Sequence, residues 1–193
     1  MSWTDKRAEY EALAHSLDSS IVLATKDAWP WKVVAFMLMV VTFGGIKRKR
    51  FLEDYATTIG PLQAYPRAWP SLPESLLVHE ARHTRQCSWF GWAVPVLGWI
   101  PRTRAWAGLP LFGLCYLILP LPIGFAWFRW RFELDAERAA LRYRLGKGEP
   151  LDRLQTRALE FGDRVCGPDY GWSWVISGRK AFQKMADQLS TKE

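Results

Sequence analysis

Apolar residues recur at helical spacing in several stretches of the chain, and short polar or glycine-containing breaks separate these stretches. In the first stretch Leu13 and Leu17 share one face of a helix, which predicts an amphipathic helix over residues 3–18. The same reasoning predicts further helices towards the other end of the chain, over residues 126–145, 151–162 and 179–189.

Two long apolar runs interrupt this pattern. Residues 28–46 are apolar except for Lys32, so we predict a buried helix or a long strand there, with a short membrane anchor as the alternative. Residues 109–128 carry no charge and are long enough to cross a bilayer, but several prolines and glycines interrupt them. Because Pro120 and Pro122 would remove two helix hydrogen bonds close together, we predict a hairpin or a bent segment.

Between the two runs, residues 51–66 are rich in β-branched and aromatic side chains. Gly60 and Pro61 divide this stretch, which predicts two short strands or a hairpin. A proline-rich loop follows, and either Ser71 or Pro73 is predicted to start the next helix.

These elements together predict a mostly helical α+β protein. Its 193 residues suit one domain, residues 1–193, with an apolar insertion at residues 91–128. A chain of this length can bury a sufficient core without disulfides.

Twelve tryptophans are many for such a chain, and tryptophan favours membrane interfaces as well as protein cores. We expect most of them to pack in the core.

The formal net charge of +7 and the pI near 9.5 describe a basic protein, with basic clusters at residues 47–50 and 129–157. Such a surface suits anionic lipid, nucleic acid or acidic peptides, or it is simply solvated. Nucleic-acid binding is not expected, since no recognised motif supports it. The three cysteines form no CxxC pair, and the polar first residues are not typical of a signal peptide. We therefore expect a cytoplasmic protein, with peripheral membrane contact left open.

The strongest chemical signal is the segment His79-Glu80-Ala81-Arg82-His83, which has the pattern H-E-x-x-H. Two histidines at i and i+4 lie on one face of a helix, where both imidazoles can reach one Zn²⁺. Glu80 then lies beside the metal and can take a proton from a zinc-bound water. The segment therefore predicts a catalytic zinc helix.

A catalytic zinc takes three protein ligands and leaves one position for water, so a third ligand is needed. The class that continues as H-E-x-x-H-x-x-G-x-x-H is excluded, because Gln86 and Trp89 occupy the corresponding positions. His15 lies in the polar first helix and is expected at the surface. Cys87 lies one turn beyond His83, but a thiolate there would close the site, so we expect a buried structural cysteine.

Carboxylates on a later helix are the better source of the third ligand. Glu133 and Glu137 are spaced i and i+4 and therefore share one helix face, whereas Asp135 points elsewhere. Glu133 could bind zinc while Glu137 accepts a hydrogen bond from the free ring nitrogen of a ligating histidine. The alternative is a solvated, charged helix, since several arginines lie nearby in the sequence.

An H-E-x-x-H helix followed by E-L-D-A-E-R-A-A on a later helix resembles the gluzincin metallopeptidases. The nearest pattern is in the membrane-linked endopeptidases that process prenylated CAAX proteins and in their bacterial heat-shock relatives, whose second helix carries E-x-x-A-D. Here Glu137 takes the place of that aspartate. The chain also resembles small bacterial and phage H-E-x-x-H proteins. The resemblance implies that Glu133 is the third zinc ligand and that Glu80 is the general base.

The fold implied by the resemblance is a zincin-like core. A hairpin or edge strand precedes the active helix, a glutamate-bearing helix follows it, and an apolar, proline-broken hairpin is inserted between them. The implied activity is that of a zinc metalloendopeptidase acting on peptide or protein substrates. An extended peptide could pair along the strand around Thr57–Ile59, and Tyr170 is a candidate donor to the oxyanion. The alternative is a basic, non-enzymatic protein that binds membranes or other proteins, with a fortuitous or relic motif.

A shared metal also constrains the apolar insertion. If residues 109–128 crossed a bilayer once, Glu133 would emerge on the far side from His79. We therefore expect the segment to double back or to be buried in protein. Shallow contact with one membrane leaflet through residues 91–128 stays open, because tryptophan and arginine flank the apolar residues.

Overall fold

The computed structural model describes residues 2–41, 47–118, 127–167 and 178–190. Most of these residues are helical and a small sheet lies among them, so the predicted helical α+β class is confirmed. A 3₁₀ turn at Trp3–Lys6 precedes the first helix. The elements then follow in the order α1 (Arg7–Leu17), β1 (Val22–Thr25), α2 (Trp29–Val41), α3 (Arg48–Glu53), β2 (Thr57–Ile59), β3 (Leu62–Tyr65), α4 (Glu74–Gly91), α5 (Pro101–Gly113), α6 (Trp127–Gly146), α7 (Leu151–Val165) and α8 (Gly178–Ser190).

The sheet has the strand order β1-β3-β2, in which β1 is parallel to β3 and β2 is antiparallel to β3. The predicted hairpin is thus present at β2 and β3, and Gly60 occupies its turn with φ +61°. That left-handed conformation favours glycine over residues with a Cβ. The sequence prediction was wrong at two points: residues 51–53 belong to α3, and strand β1 was not foreseen. In this three-stranded sheet, β2 lies at an edge.

Helix α4 is central to the described fold, where it contacts α1, β2, α5 and α6. It begins after Pro73, one of the two predicted starts, because proline has no N–H to place in the first turn and pre-sets φ. On one side of α4 lies a core that includes Trp3, Tyr65 and Leu77. Around α6, α7 and α8 lies a second core that includes Leu141 and Phe182. Helix α4 contributes Cys87 to a third core, together with Ala105 on α5 and Phe132 on α6, so it packs against several elements.

The predicted insertion folds back as a helical hairpin made by α4, a loop and α5. Gly108 on α5 lies against Cys87 on α4, and Arg104 lies against Gly91, so the two helices run antiparallel. The chain therefore turns at residues 92–100, and the turn proposed at residues 120–122 falls outside the described residues. Pro110 does not end the helix, since α5 continues through it to Gly113. Close packing of α5 on α4 outweighs the one helix hydrogen bond lost at that proline.

Residues 28–46 were predicted to form a buried helix, a long strand or a short anchor, and helix α2 occupies residues 29–41. One face is buried through Trp31 and Ala35, whereas Phe36 and Met37 are exposed. Among the described helices, none combines the length and the apolar character that crossing a bilayer requires.

Replacing Gly108 by alanine is expected to destabilise the fold strongly. An added Cβ would lie 1.8 Å from the Cys87 carbonyl oxygen, so the α4 and α5 backbones would have to separate. We expect the free energy of unfolding to fall by about 3 kcal/mol, towards the upper part of the range for overpacked cores. Urea denaturation measures this. Gly113→Ala is the control, because its Cβ would meet no described atom within 4 Å. Equal midpoints for the two variants would contradict the prediction.

Candidate metal centre

Helix α4 carries His79, Glu80 and His83 into the interior, where each side chain is less than a tenth exposed. The i, i+4 spacing stacks the two imidazoles along one face, and their ring centroids are 5.0 Å apart. Burial of two imidazoles and a carboxylate on one face is costly unless these groups are paired or hold a cation. The predicted H-E-x-x-H helix is therefore present, and its polar residues face the core.

Helix α6 brings Glu133 to these histidines. His79 Nε2 lies 3.3 Å from Glu133 Oε2, and His83 Nε2 lies 3.7 Å from Glu133 Oε1. One ligand atom from each of the three residues can be chosen so that all lie within 4.8 Å of one another. The structure thus brings together the three residues that the sequence predicted as metal ligands, although 49 residues separate His83 from the last of them.

The arrangement around Glu133 fits a bound cation. Among the described residues, none donates a hydrogen bond to the buried Oε2 atom. His79 Nδ1 lies 3.3 Å from Glu137 Oε2, as predicted for a second carboxylate that orients the ring. A neutral imidazole that donates a hydrogen bond from Nδ1 to Glu137 has a lone pair on Nε2. That lone pair faces the lone pairs of Glu133 Oε2. Two such atoms attract each other only through a cation placed between them.

The distances and the donor types suit zinc. Ligands at roughly 2.0–2.2 Å in a tetrahedron are separated by about 3.3–3.6 Å. His79 Nε2 lies 3.3 Å from Oε2 of Glu133, and His83 Nε2 lies 3.7 Å from Oε1, the other oxygen of the same carboxylate. Two imidazole nitrogens with one carboxylate form a set that leaves the fourth position for water. His79, His83 and Glu133 would therefore hold the ion.

Without a metal, a proton takes over the role of the cation. Burial opposes a charged imidazole, but Glu133 and Glu137 outweigh it and raise the pKa of His79 well above its usual value. Burial likewise favours a neutral carboxyl, but His83, His79 and the Tyr116 hydroxyl lower the pKa of Glu133 to about 2. In the metal-free protein an imidazolium and a carboxylate therefore form a buried ion pair.

Zinc must displace that proton, so its binding should depend strongly on pH. Near neutral pH His79 is protonated in the metal-free chain, since its pKa is raised. We expect about one proton to be released per zinc bound and the affinity to fall by about tenfold per unit decrease of pH. Calorimetric titration in two buffers of different ionisation enthalpy measures the release. Equal apparent enthalpies in both buffers would contradict the prediction.

His83 is oriented by a chain of hydrogen bonds that the sequence did not reveal. Its Nδ1 lies 2.8 Å from Gln86 Oε1, and the Gln86 amide donates to the Phe132 carbonyl oxygen and to Asp135 Oδ2. Because both amide hydrogens point at acceptors, the amide oxygen must face His83, which makes Nδ1 the protonated nitrogen. Arg82 donates twice to Asp135, at 2.6 and 3.0 Å. The chain thus leaves His83 Nε2 free to bind a metal.

Replacing Gln86 by leucine is expected to weaken zinc binding by about 10–100-fold, the usual effect of removing a group that orients a ligand. The His83 ring would lose the acceptor that fixes its tautomer. Competition with a fluorescent zinc chelator measures the affinity. Gln63→Leu is the matched control, since Gln63 is also a buried amide but hydrogen-bonds to Tyr65 and Thr84 instead. Equal effects of the two substitutions would contradict the orienting role.

Glu80 faces the edge strand. Thr58 on β2 donates a hydrogen bond of 2.6 Å to Glu80 Oε2, which fixes the rotation of the carboxylate. The neighbouring Thr57 accepts a hydrogen bond of 2.6 Å from the Lys26 ammonium, which also donates to the Phe51 carbonyl oxygen. Burial lowers the pKa of Lys26 to about 7, and the nearby Glu80 opposes this. The buried Lys26 side chain therefore anchors the strand that holds Glu80.

The apolar insertion also contributes to the site. The Tyr116 hydroxyl donates a hydrogen bond to Glu133 Oε1, and its ring lies 6.1 Å from that of His83. Phe161 on α7 packs edge-on against His79, with 5.4 Å between centroids. Sequence reasoning missed Tyr116, although a lone phenol within the apolar residues 109–128 was a usable signal, because a buried hydroxyl needs an acceptor.

The other residues considered from sequence lie apart from this cluster. Cys87 is buried against α5, and burial raises the pKa of its thiol to about 12, so it is neutral as expected of a structural cysteine. His15 lies on α1 within 3.0 Å of the Ile21 carbonyl oxygen. Asp135, expected to point elsewhere, does not reach the ligand atoms but supports Gln86. Tyr170 falls outside the described residues.

The geometry defines a buried site of two histidines and one glutamate, with a further carboxylate beside it, in a helical α+β protein. Comparisons with family models, with curated proteins and with solved structures find no match to this chain. The resemblance to gluzincins therefore depends on the motif residues alone.

Proposed function

We propose that this protein is a zinc-dependent peptidase that uses Glu80 as its general base. The observation that carries the proposal is the buried cluster of His79, His83 and Glu133, in which Glu133 Oε2 faces His79 Nε2 at 3.3 Å, with Glu80 next to His79 on α4. A merely structural ion pair would account for the histidines and Glu133. It would not account for a further buried carboxylate held by a threonine on an edge strand.

Each residue has a role that its environment supports. His79, His83 and Glu133 hold the zinc, and Glu137 and Gln86 keep the imidazoles in the orientation that ligation needs. Bound zinc supplies a Lewis acid that lowers the pKa of a coordinated water to about 7. Glu80 accepts a proton from water and passes it to the leaving amine, as a general base and then a general acid.

The edge strand offers a place for the substrate. Strand β2 (Thr57–Ile59) pairs with β3 on one side, and its other side is not paired within the described sheet. An extended peptide that paired with this edge would lie beside Glu80, because Thr58 on the same strand contacts that carboxylate. A crystal structure with a peptide-based inhibitor tests the placement: the inhibitor should run antiparallel to β2. An inhibitor bound elsewhere would contradict it.

Metal analysis combined with an activity assay tests the function as a whole. The purified chain is expected to contain about one zinc, and a fluorogenic peptide library should reveal hydrolysis that stops on adding a chelator and returns with zinc. A parallel preparation of His79→Ala should lack both the metal and the activity. A chain with stoichiometric zinc but no hydrolysis would leave the metal site in place and contradict the peptidase. A chain without zinc would contradict both.

A further inference from the structure

The loop between α4 and α5 exposes an unusual amount of apolar surface. Residues 92–101 carry no charge, and eight of the ten are exposed; the exceptions are the buried Gly98 and the half-buried Val94. Within this loop the most exposed large side chains are Val96 at 68% and Trp99 at 67%. Trp92, Leu97 and Ile100 are each about half exposed. Contiguous exposed apolar residues of this size mark an interaction site rather than ordinary surface.

The backbone of this loop is strained in a way that presents these side chains. Val96 has φ +66° and ψ −67°, and the Leu97 N–H donates to the Pro95 carbonyl oxygen at 2.8 Å. These values describe the rare form of the γ-turn, which a β-branched residue adopts only under constraint. Backbone strain is concentrated at functional sites. Here the strained residue is Val96, whose side chain is exposed.

Contacts at the base of the loop supply that constraint. Gly98 packs so closely on α4 that an added Cβ would lie 1.8 Å from the Gly91 carbonyl oxygen. Arg104 donates to the Gly98 carbonyl oxygen at 2.8 Å, and Thr103 donates to the Leu97 carbonyl oxygen at 2.6 Å. The guanidinium of Arg104 also lies 3.7 Å from the ring centre of Trp92. The loop is therefore a fixed apolar projection.

The stretches of chain on either side of the projection carry charges of one sign. Residues 81–132 contain six arginines and no acidic residue, although the chain as a whole has nineteen. Arg102 follows the loop directly and is exposed, whereas Arg82 is paired with Asp135 and does not contribute to a positive rim. Tryptophan beside arginine is the composition that favours a membrane interface, and a positive rim attracts anionic headgroups.

We propose that residues 92–101 insert into the surface of an anionic lipid bilayer, with the apolar side chains among the acyl chains and the arginines at the headgroups. The loop is too short to cross a bilayer, so the contact is confined to one leaflet. An apolar protein surface would not require the acid-free surroundings, whereas an anionic bilayer is complementary to them. The proposal does not depend on the peptidase activity.

Flotation with lipid vesicles tests the proposal on the full chain. Vesicles of phosphatidylcholine with phosphatidylglycerol are expected to bind the protein, and vesicles of phosphatidylcholine alone should bind it far less. Leu97→Glu should weaken binding by at least about tenfold, since it removes a large apolar contact and adds a repelled charge. Leu159→Glu on α7 is the matched control, because this leucine is also exposed, at 38%, but lies outside the loop. Arg102→Gln should weaken binding to anionic vesicles by about fivefold.

Several results would overturn the proposal. One is that the protein does not bind anionic vesicles, and another is that it binds neutral and anionic vesicles equally. A third is that Leu97→Glu and Leu159→Glu weaken vesicle binding by the same factor. A dimer that forms through the loop without lipid binding, seen by light scattering, would assign the surface to a second copy of the chain instead. Far-UV circular dichroism establishes that each variant is folded. Vesicle binding that is unchanged by a chelator separates this test from that of the metal site.

Discussion

Glu80→Gln is expected to keep the zinc and to lose about a thousandfold or more in peptide hydrolysis. Glutamine has the same shape, and its amide oxygen can still accept the hydrogen bond of 2.6 Å from Thr58. It cannot accept a proton, so water would lose its base, an effect typically worth 10²–10⁴-fold. None of the three predicted ligands is changed, so the metal content should stay at that of the parent chain. Atomic absorption and the rate of hydrolysis are measured on the same preparation.

A matched variant shows whether the loss is specific to this position. Glu74→Gln changes the same residue type on the same helix, but Glu74 is at the solvent-exposed start of α4, where it contacts Tyr143 and Lys147. Its hydrolysis rate should equal that of the parent. Thr58→Val should lower kcat by a smaller factor than Glu80→Gln, since the carboxylate would remain but would lose its fixed orientation. Full activity in Glu80→Gln would rule out the general-base role.

The helices and the faces that carry the candidate ligands were largely predictable, because they depend on local rules. The i, i+4 spacing places His79 and His83 on one face wherever the helix lies, and the same rule places Glu133 with Glu137. Proline at position 73 indicated where the helix begins. The need for a third ligand then linked two segments that are distant in sequence. Chemistry, rather than periodicity, thus predicted the contact between α4 and α6.

The remaining features depend on tertiary contacts that no local pattern specifies. Strand β1 has only four residues and exists because it pairs with β3, which follows almost forty residues later. The role of Gln86 requires Phe132 and Asp135 on another helix, so from the sequence Gln86 only helped to exclude the metallopeptidase class that has glycine at this position. The α4–α5 hairpin depends on glycines that let two backbones approach closely, whereas the prolines suggested a break further along.

Glu133→Gln is expected to weaken zinc binding by about three orders of magnitude. This factor corresponds to the approximate contribution of one ligand to the binding free energy of a typical protein zinc site. The amide is a poor ligand compared with a carboxylate, and it would present an N–H or a neutral oxygen to His79 Nε2, now 3.3 Å from Glu133 Oε2. Glu137→Gln on the same helix face should weaken binding by only about 10–100-fold, since that residue orients His79 and does not bind the metal.

The ratio of the zinc affinities of Glu133→Gln and Glu137→Gln distinguishes a metal site from a charged helix surface. If both glutamates only served the solubility of α6, neither substitution would alter the zinc affinity, and the helix would tolerate both equally. Glu133 is 2% exposed, so its carboxylate is retained in the core against a considerable desolvation cost. Zinc competition assays on both variants and on His79→Ala give the order of the effects. Retention of stoichiometric zinc in Glu133→Gln would remove this residue from the ligand set and require a different third ligand.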